Sequence, residues 1–438
     1  MAIPASDRTD RLPSSAGTPA VEDSMAGTDL EKAPVDPVKI GPAPDGGLEA
    51  WLVAAGAACV LFSSLGYANA FGVFQEYYIT HQLRDKSPDD ISWIGSLAAF
   101  LQFAIGAVAG PLFDRYGSWI IRPASLLYVF AMMMTSLCDQ YWHFVLVQGV
   151  LMGCSIGLLL FPSISAVSQY FDKKRGAALG LVVAGSSIGG IVFPIALSRL
   201  LNASSLGFGW SLRIIGFVTM PLLSFSCVVI KARLPPRKTK FFLPAAFKQA
   251  DFSFLVLSLF FMFLGMFTPL FYIPSYAVSR GINSTLASYL LAILNGASTF
   301  GRIIPGILSD KVGQMNMLSI GSIITGVVIF CMTKAESVAG LVLYSIAIGF
   351  FSGTLISGAS AALSICPEDP RDMGSFLGQG LAVGSLAALI GPPVNGILIR
   401  TSGGYLQLSI LSGVMCLVGG VICFLTKLTT PKGLLGKT

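Results

Sequence analysis

The sequence predicts an all-α integral membrane fold, and its composition gives the first reasons. Hydrophobic residues make up 54% of the 438-residue chain, the mean hydropathy is +0.75, and charged residues make up only 11%. Soluble proteins carry about 25% charged residues. This chain therefore has too little charge to cover a globule in water, and most of its outer surface must face lipid. The composition excludes a soluble enzyme, a nucleic-acid binder and a disulfide-rich secreted module.

The second reason is a series of apolar stretches from Trp51 onward. Each is long enough to cross a hydrocarbon core, which takes about 20 helical residues. We therefore predict twelve transmembrane helices. Their approximate ranges are 51–75, 91–113, 119–138, 144–170, 176–198, 211–230, 253–278, 286–308, 315–333, 338–363, 374–398 and 405–426.

Polar segments divide the chain into domains. Residues 1–49 hold 9 of the 22 acidic residues and little apolar content, which predicts a disordered N-terminal tail. A basic linker, 231–252, separates a first six-helix half, 50–230, from a second, 253–427. Residues 428–438 form a short C-terminal tail.

The basic residues predict the orientation. With the N-terminus inside, 20 of the 28 Lys and Arg residues fall on the inner side and 7 on the outer side. Because cytoplasmic loops carry an excess of Lys and Arg, both termini are expected in the cytosol, with the plasma membrane as the default location. Asn202 and Asn283 begin N-x-[ST] sequons on predicted outer loops and are candidate glycosylation sites.

Two internal repeats indicate that the halves are related. Residues 110–117, GPLFDRYG, recur as residues 306–313, GILSDKVG, at an offset of 196. Residues 176–180, GAALG, recur as residues 374–378, GSFLG, at an offset of 198. Two elements that recur in order at nearly one offset predict two pseudo-symmetric six-helix halves.

These motifs resemble a known family. The pattern G-x-L-x-D-[RK]-x-G after helices 2 and 8 is similar to the signature of the major facilitator superfamily. The run 170–189 and the opening Asp45-Gly46-Gly47-Leu48-Glu49-Ala50-Trp51 resemble its monocarboxylate transporter family, the opening with one extra residue as in fungal members. The resemblance implies a major facilitator fold that transports by alternating access.

The repeated loop motif predicts a conformational latch on the cytosolic side. Its glycines let neighbouring helices approach closely. Its carboxylates sit just before the next helix, where they can cap backbone N–H groups, and its bases can bridge loops or headgroups. A static loop cap is the alternative to the latch that the resemblance implies. The residues are Gly110, Asp114, Arg115, Gly306, Asp310 and Lys311.

Arg302 is the charged residue that the predicted spans place deep in the hydrocarbon. It lies eight residues before Asp310, about 12 Å along the helix. An intramembrane cation usually faces a cavity and pairs with an anion, and the resemblance implies an arginine at this place in helix 8. We expect Arg302 to bind a substrate carboxylate; a structural hydrogen bond to carbonyls or a loop acid is the alternative. The other candidate substrate-binding residues are Asn295, Asn69, Tyr67, Tyr272 and Gln379.

Two departures from the monocarboxylate pattern widen the choice of substrate. Ser298 stands where that family has an aspartate, and Asn69 stands where it has a lysine. The first hypothesis is transport of a small organic anion similar to a monocarboxylate, and the alternative is export of a larger natural product. A membrane sensor that does not translocate is a third hypothesis, and proton coupling stays open.

Enzymatic motifs are missing from the sequence. It has no H-E-x-x-H, no P-loop and no C-x-x-C pair. We therefore expect no enzyme activity, no cofactor and no metal site. The expected partners are the lipid bilayer and a small organic solute.

Overall fold

The computed structural model describes residues 41–86, 88–202, 205–235, 243–402 and 404–429. Over these residues the secondary structure is helical, with no strand, which confirms the predicted all-α fold. Most of the predicted tails and part of the linker lie outside the described residues. The α-helices are α1 (Gly47–Ser63), α2 (Leu65–Ala68), α3 (Phe71–Tyr77), α4 (Pro88–Ala104), α5 (Gly106–Tyr116), α6 (Ile121–Thr135), α7 (Tyr141–Phe144), α8 (Met152–Tyr170), α9 (Arg175–Asn202), α10 (Gly207–Val229), α11 (Ala250–Ser279), α12 (Ser284–Val312), α13 (Gln314–Phe330), α14 (Val338–Leu363), α15 (Met373–Ser402) and α16 (Leu406–Thr426).

The described helices form 11 stretches that are long and apolar enough to cross a membrane. One of them, Trp93–Thr135, has 43 residues. At 1.5 Å per residue that is about 65 Å of helix, roughly twice the ~30 Å thickness of a hydrocarbon core. The helix is interrupted inside this stretch at Gly117, whose positive φ of 67° is a conformation that glycine adopts easily. The stretch corresponds to the predicted spans 91–113 and 119–138, so the structure agrees with about twelve crossings.

Local breaks in the helices differ from the predicted boundaries. The first predicted span is divided into α1, α2 and α3, with a break at Asn69 and Ala70. Such a break frees backbone groups in the membrane only where they face protein or a cavity. By contrast, α11 is continuous through Pro269 and Pro274, and it begins at Ala250, inside the predicted linker.

Two helix pairs join the predicted halves. Helix α5 of the first half packs on α15 of the second, and α9 packs on α12. We call these pairs the α5–α15 seam and the α9–α12 seam. Residues from Pro42 onward form one compact unit, so the division into halves at the linker stays a prediction.

Both ends of the described chain lie at one end of the bundle. Asp45 contacts the turn before α9, and the Nζ atom of Lys427 donates to Oδ1 of Asn316, in the first turn of α13, at 2.6 Å. Asp114 and Asp310 lie at the same end. We call this end the termini face.

Candidate functional site

Glycines bring the helix backbones into contact at both seams. A β-carbon on Gly110 would overlap the carbonyl oxygen of Gly374 across the α5–α15 seam. A β-carbon on Gly180 would overlap the carbonyl oxygen of Arg302 across the α9–α12 seam. Such close approach is typical of small-residue packing between membrane helices. Any larger side chain at these positions would push the predicted halves apart.

The carboxylate of Asp114 caps the start of α15. It accepts hydrogen bonds from the backbone nitrogens of Gly374 (2.9 Å) and Ser375 (2.6 Å) and from the Ser375 hydroxyl (2.6 Å). Asp114 is buried. A carboxylate at a helix N-terminus satisfies N–H groups that have no partner within the helix and interacts favourably with the helix dipole.

Asp310 makes the equivalent contact at the other seam. Its carboxylate accepts from the backbone nitrogens of Gly176 (2.7 Å) and Ala177 (3.0 Å), at the start of α9. The sequence prediction that each carboxylate caps the next helix in the chain is therefore wrong. Each one lies in the last turns of its own helix and caps a helix of the opposite half, because the seams bring those distant helix starts within reach.

Arg175 is a contact residue that the sequence analysis missed. Its Nη1 atom donates to the carbonyl oxygen of Ser364 in the second half at 2.9 Å, and its Nε atom donates to that of Phe171 at 3.1 Å. Its only sequence signal is its place directly before the repeated Gly176 motif. By contrast, the predicted latch bases Arg115 and Lys311 are exposed at the termini face.

Arg302 is buried in the α9–α12 seam. Its Nη1 atom donates to the carbonyl oxygen of Val183 at 2.8 Å and to the hydroxyl of Ser186, both on α9. Its Nε atom is buried without a hydrogen-bond partner. Among the described residues no carboxylate is paired with this guanidinium. In this conformation Arg302 therefore bridges the two predicted halves through carbonyl and hydroxyl oxygens.

The internal repeat shows which residue of the first half is equivalent to Arg302. The offset of 196 that relates Gly110 to Gly306 and Asp114 to Asp310 also relates Gly106 to Arg302. The backbone contacts are equivalent as well, since a β-carbon on Gly378 would overlap the carbonyl oxygen of Gly106. The two seams thus share one backbone arrangement, and the α9–α12 seam carries an additional buried cation.

Two predicted site residues lie beside Arg302. The Nδ2 atom of Asn69 donates to the carbonyl oxygen of Ser186 at 3.4 Å. A β-carbon on Gly190 would lie 3.0 Å from Nδ2 of Asn69 and 3.3 Å from Oδ1 of Asn295, so both amides face this glycine. We call Asn69, Ser186, Asn295 and Arg302 the polar cluster. Asn69 is exposed and Asn295 is half-buried, although both lie against α9.

Tyr67 lies in α2, two residues before Asn69 of the polar cluster. Its ring is 5.5 Å from the ring of Phe74 and 6.1 Å from that of Phe193, which is on α9. The Tyr67 hydroxyl is buried and has no hydrogen-bond partner among the described residues. It is therefore a buried polar group that is free to bind another group.

Tyr272 and Gln379 lie elsewhere. The Tyr272 hydroxyl would be 3.2 Å from a β-carbon on Gly396, so it faces α15. The amide of Gln379, with its nitrogen toward the carbonyl oxygen of Leu243, donates to that oxygen at 3.1 Å and accepts from the Leu243 nitrogen at 3.2 Å. Gln379 therefore ties the linker to α15 near the termini face, and it does not join the polar cluster as the sequence analysis expects.

The predicted glycosylation sites have different outcomes. Asn283 is exposed in the turn between α11 and α12. The side chain of Asn202, at the end of α9, lies outside the described residues. Glycosylation stays a prediction at both positions.

With this geometry described, comparison with known proteins identifies the family. The model of the Major Facilitator Superfamily matches residues 56–361 and 300–437. The chain belongs to this superfamily, and it is a multi-pass membrane transporter.

Solved structures and sequence relatives agree with that assignment. The fold is similar to that of the human organic anion transporter MFSD10 (TETRAN), with a TM-score of 0.70, 14% identity, and coverage of 86% of this chain and 100% of that one. The chain is 48% identical to the aspyridones efflux protein apdF of Emericella nidulans, over 90% of this chain and 80% of the relative. It is 43% identical to the agnestins efflux protein AgnL12 of Paecilomyces divaricatus, over 88% and 89%.

Proposed function

We propose that this transporter exports a natural product across the plasma membrane, with both termini in the cytosol. Relatives that are 48%, 43% and 36% identical are named as efflux proteins for aspyridones, agnestins and fujikurins, the last from Gibberella fujikuroi. These relatives favour the second of the two transport hypotheses from the sequence. They give no support to uptake of a small monocarboxylate.

The proposed mechanism rests on the paired carboxylate caps. Asp114 and Asp310 join the two halves at the termini face, and both caps use hydrogen bonds that can break and reform. Asn69 of the polar cluster is exposed beyond these caps. This supports a state that is closed toward the cytosol and reached by solvent from the outside. Export then requires rocking of the halves, for which the caps at both seams must break.

We propose that Arg302 binds an acidic group of the substrate when the α9–α12 seam opens. A buried guanidinium is costly, and in the closed state the oxygens of Val183 and Ser186 stabilise it. Opening the seam removes these acceptors, so a substrate carboxylate or enolate would replace them. Asn69, Asn295 and the free Tyr67 hydroxyl supply further polar contacts. Tyr272 stays a candidate for the opposite wall of the cavity.

A second candidate function rests on the motifs alone. The opening from Asp45 to Trp51 and the arginine in helix 8 resemble the monocarboxylate transporter family, and they favour membership of its fungal branch. Under that hypothesis the solute is a small monocarboxylate. The coupling ion is open under both hypotheses.

Counterflow in proteoliposomes tests the proposed function. The purified protein would be given a panel with aspyridones, agnestins, fujikurins, lactate and acetate, with and without a pH gradient. We expect saturable flux of at least one of the large compounds and none of lactate. Flux of lactate or acetate without any large compound would overturn the export proposal, and stimulation by the pH gradient would identify proton coupling.

The role of Arg302 is tested in the same assay. Arg302→Gln should lower the flux of an acidic substrate at least about tenfold, the loss expected when a charged hydrogen bond of roughly 1.5–3 kcal/mol disappears. The matched control is Arg280→Gln, because Arg280 is an exposed arginine that pairs with Glu336 at 3.5 Å and does not belong to the polar cluster. Full flux in Arg302→Gln would contradict the assignment.

A further inference from the structure

We propose that Asp45 is a positioning residue for the latch: it holds the turn before α9 in the place where Asp310 of the opposite half captures that helix. This inference rests on the proposed role of Asp310 in closing the termini face. It gives a function to the segment Pro42–Trp51, whose sequence motif has no role in the proposed transport mechanism.

The segment Pro42–Trp51 is attached to the turn before α9 at several points. The Asp45 nitrogen donates to the carbonyl oxygen of Tyr170 at 3.0 Å, and the Tyr170 hydroxyl donates to Oε1 of Glu49 at 3.3 Å. The ring of Trp51 packs edge-on against that of Phe171, with centroids 5.1 Å apart. These contacts fix the segment on the first half of the molecule.

The carboxylate of Asp45 binds the backbone of that turn. Its Oδ1 atom accepts from the nitrogens of both Asp172 (2.6 Å) and Lys174 (3.3 Å). Among the described residues Asp45 is the one non-glycine with a positive φ, 53°. Aspartate tolerates this left-handed conformation better than most residues do, and its short side chain reaches adjacent backbone groups. The strained backbone is therefore the conformation that aims the carboxylate at the turn.

The start of α9 is thus held by two carboxylates with different origins. Asp45, in the segment attached to the first half, binds the nitrogens at 172 and 174, and Asp310 of the opposite half binds those at 176 and 177. The first contact does not cross between the halves, so it can persist when the seam opens. The second contact crosses between them and must break. When Asp45 keeps this turn in place, the N–H groups of Gly176 and Ala177 at the start of α9 are already positioned for Asp310. This arrangement favours closure because the turn does not have to reorder.

In the second half, the turn before α15 is held by an acidic residue of the same loop. The offset of 198 relates the turn 172–174 to 370–372, the short 3₁₀ turn before α15. There the side chain of Asp369 accepts from the nitrogen of Arg371 at 2.9 Å and pairs with its guanidinium at 2.7 Å. At the α5–α15 seam, the turn before α15 is therefore held by Asp369, which lies in the same loop. The α9–α12 seam depends on an acid 127 positions away in the chain, and only that seam should respond to Asp45.

The test measures each seam separately with spin labels in nanodiscs. Exposed positions at the termini face supply one cysteine pair for each seam: Lys174 with Lys311 for α9–α12, and Arg115 with Glu368 for α5–α15. The exposed Cys331 is replaced by Ser. The other seven native cysteines are replaced by Ser or Ala, so that the labels attach only to the introduced pair.

Asp45→Gly removes the carboxylate and keeps a residue that favours the positive φ. We expect the ratio of short to long Lys174–Lys311 distances to fall about fivefold, the effect of losing one helix cap, while the Arg115–Glu368 pair is unchanged. Asp45→Asn should restore most of the ratio, because one oxygen atom, Oδ1, accepts both hydrogen bonds.

Three outcomes would overturn the inference. They are an unchanged α9–α12 distance in Asp45→Gly, an equal shift at both seams, which would indicate general loss of structure, and no rescue by Asp45→Asn. Asp310→Asn separates this proposal from the one on which it rests. If Asp310→Asn opens the α9–α12 seam and Asp45→Gly does not, only the role of Asp45 fails, whereas a closed seam in Asp310→Asn contradicts the latch itself.

Discussion

Asp114, Asp310 and Arg302 each make hydrogen bonds across a seam. The sequence identifies Asp114 and Asp310 as carboxylates that cap helices, because a repeated acid at a helix end has few other roles. It assigns them to the wrong helices, because only the folded packing brings α15 and α9 to them. It identifies Arg302 as buried but not its acceptor on Val183, since a backbone carbonyl leaves no signal in the sequence.

The contacts of Asp114 predict a graded series of variants. Asp114→Asn places an amide nitrogen against a backbone N–H group, so at least one charged hydrogen bond is lost, at about 1.5–3 kcal/mol. Ser375→Ala removes one hydrogen bond of the same kind but keeps the negative charge and both backbone bonds, whereas Asp114→Asn also removes the charge from the bonds that remain. Spin-label distances between Arg115 and Glu368 should therefore show a larger open population in Asp114→Asn than in Ser375→Ala. Equal populations in the two variants would mean that the carboxylate is not the principal contact.

At the scale of helices, the hydropathy pattern predicts the elements well and their junctions poorly. The apolar stretches predict the spans because a bilayer allows little else. The break at Asn69 and the start of α11 at Ala250 were not predicted. Both features depend on tertiary contacts, which a hydropathy pattern does not predict. The glycine pairs of the seams are visible in the sequence only as repeats, and their partners become clear in the structure.

The seam glycines predict a position-dependent effect of one methyl group. In Gly110→Ala the new β-carbon overlaps the carbonyl oxygen of Gly374, so α5 and α15 must separate. We expect the closed state to be destabilised by about 1–3 kcal/mol, as in overpacked cores. Gly72→Ala on α3 is the matched control, because its β-carbon meets no atom within 4 Å. Arg115–Glu368 distances check both variants, and a closed seam in Gly110→Ala would contradict the close contact.

At the scale of the whole molecule, the two halves are similar in backbone and different in chemistry. Both seams use a glycine contact and a carboxylate cap, as the internal repeats predict. The α9–α12 seam adds Arg302, the amides of the polar cluster and the anchored segment at Asp45. We infer that the duplication supplies the rocking mechanism, and that the asymmetry places substrate recognition in the α9–α12 seam.

We infer that the two caps together keep the molecule closed at the termini face. The most direct test is the distance between spin labels at Lys174 and Lys311 in nanodiscs, compared between the parent protein and the double variant Asp114→Asn/Asp310→Asn. We expect one short distance in the parent protein and a second, longer population in the double variant. A distance distribution that is identical in the two proteins would contradict this inference.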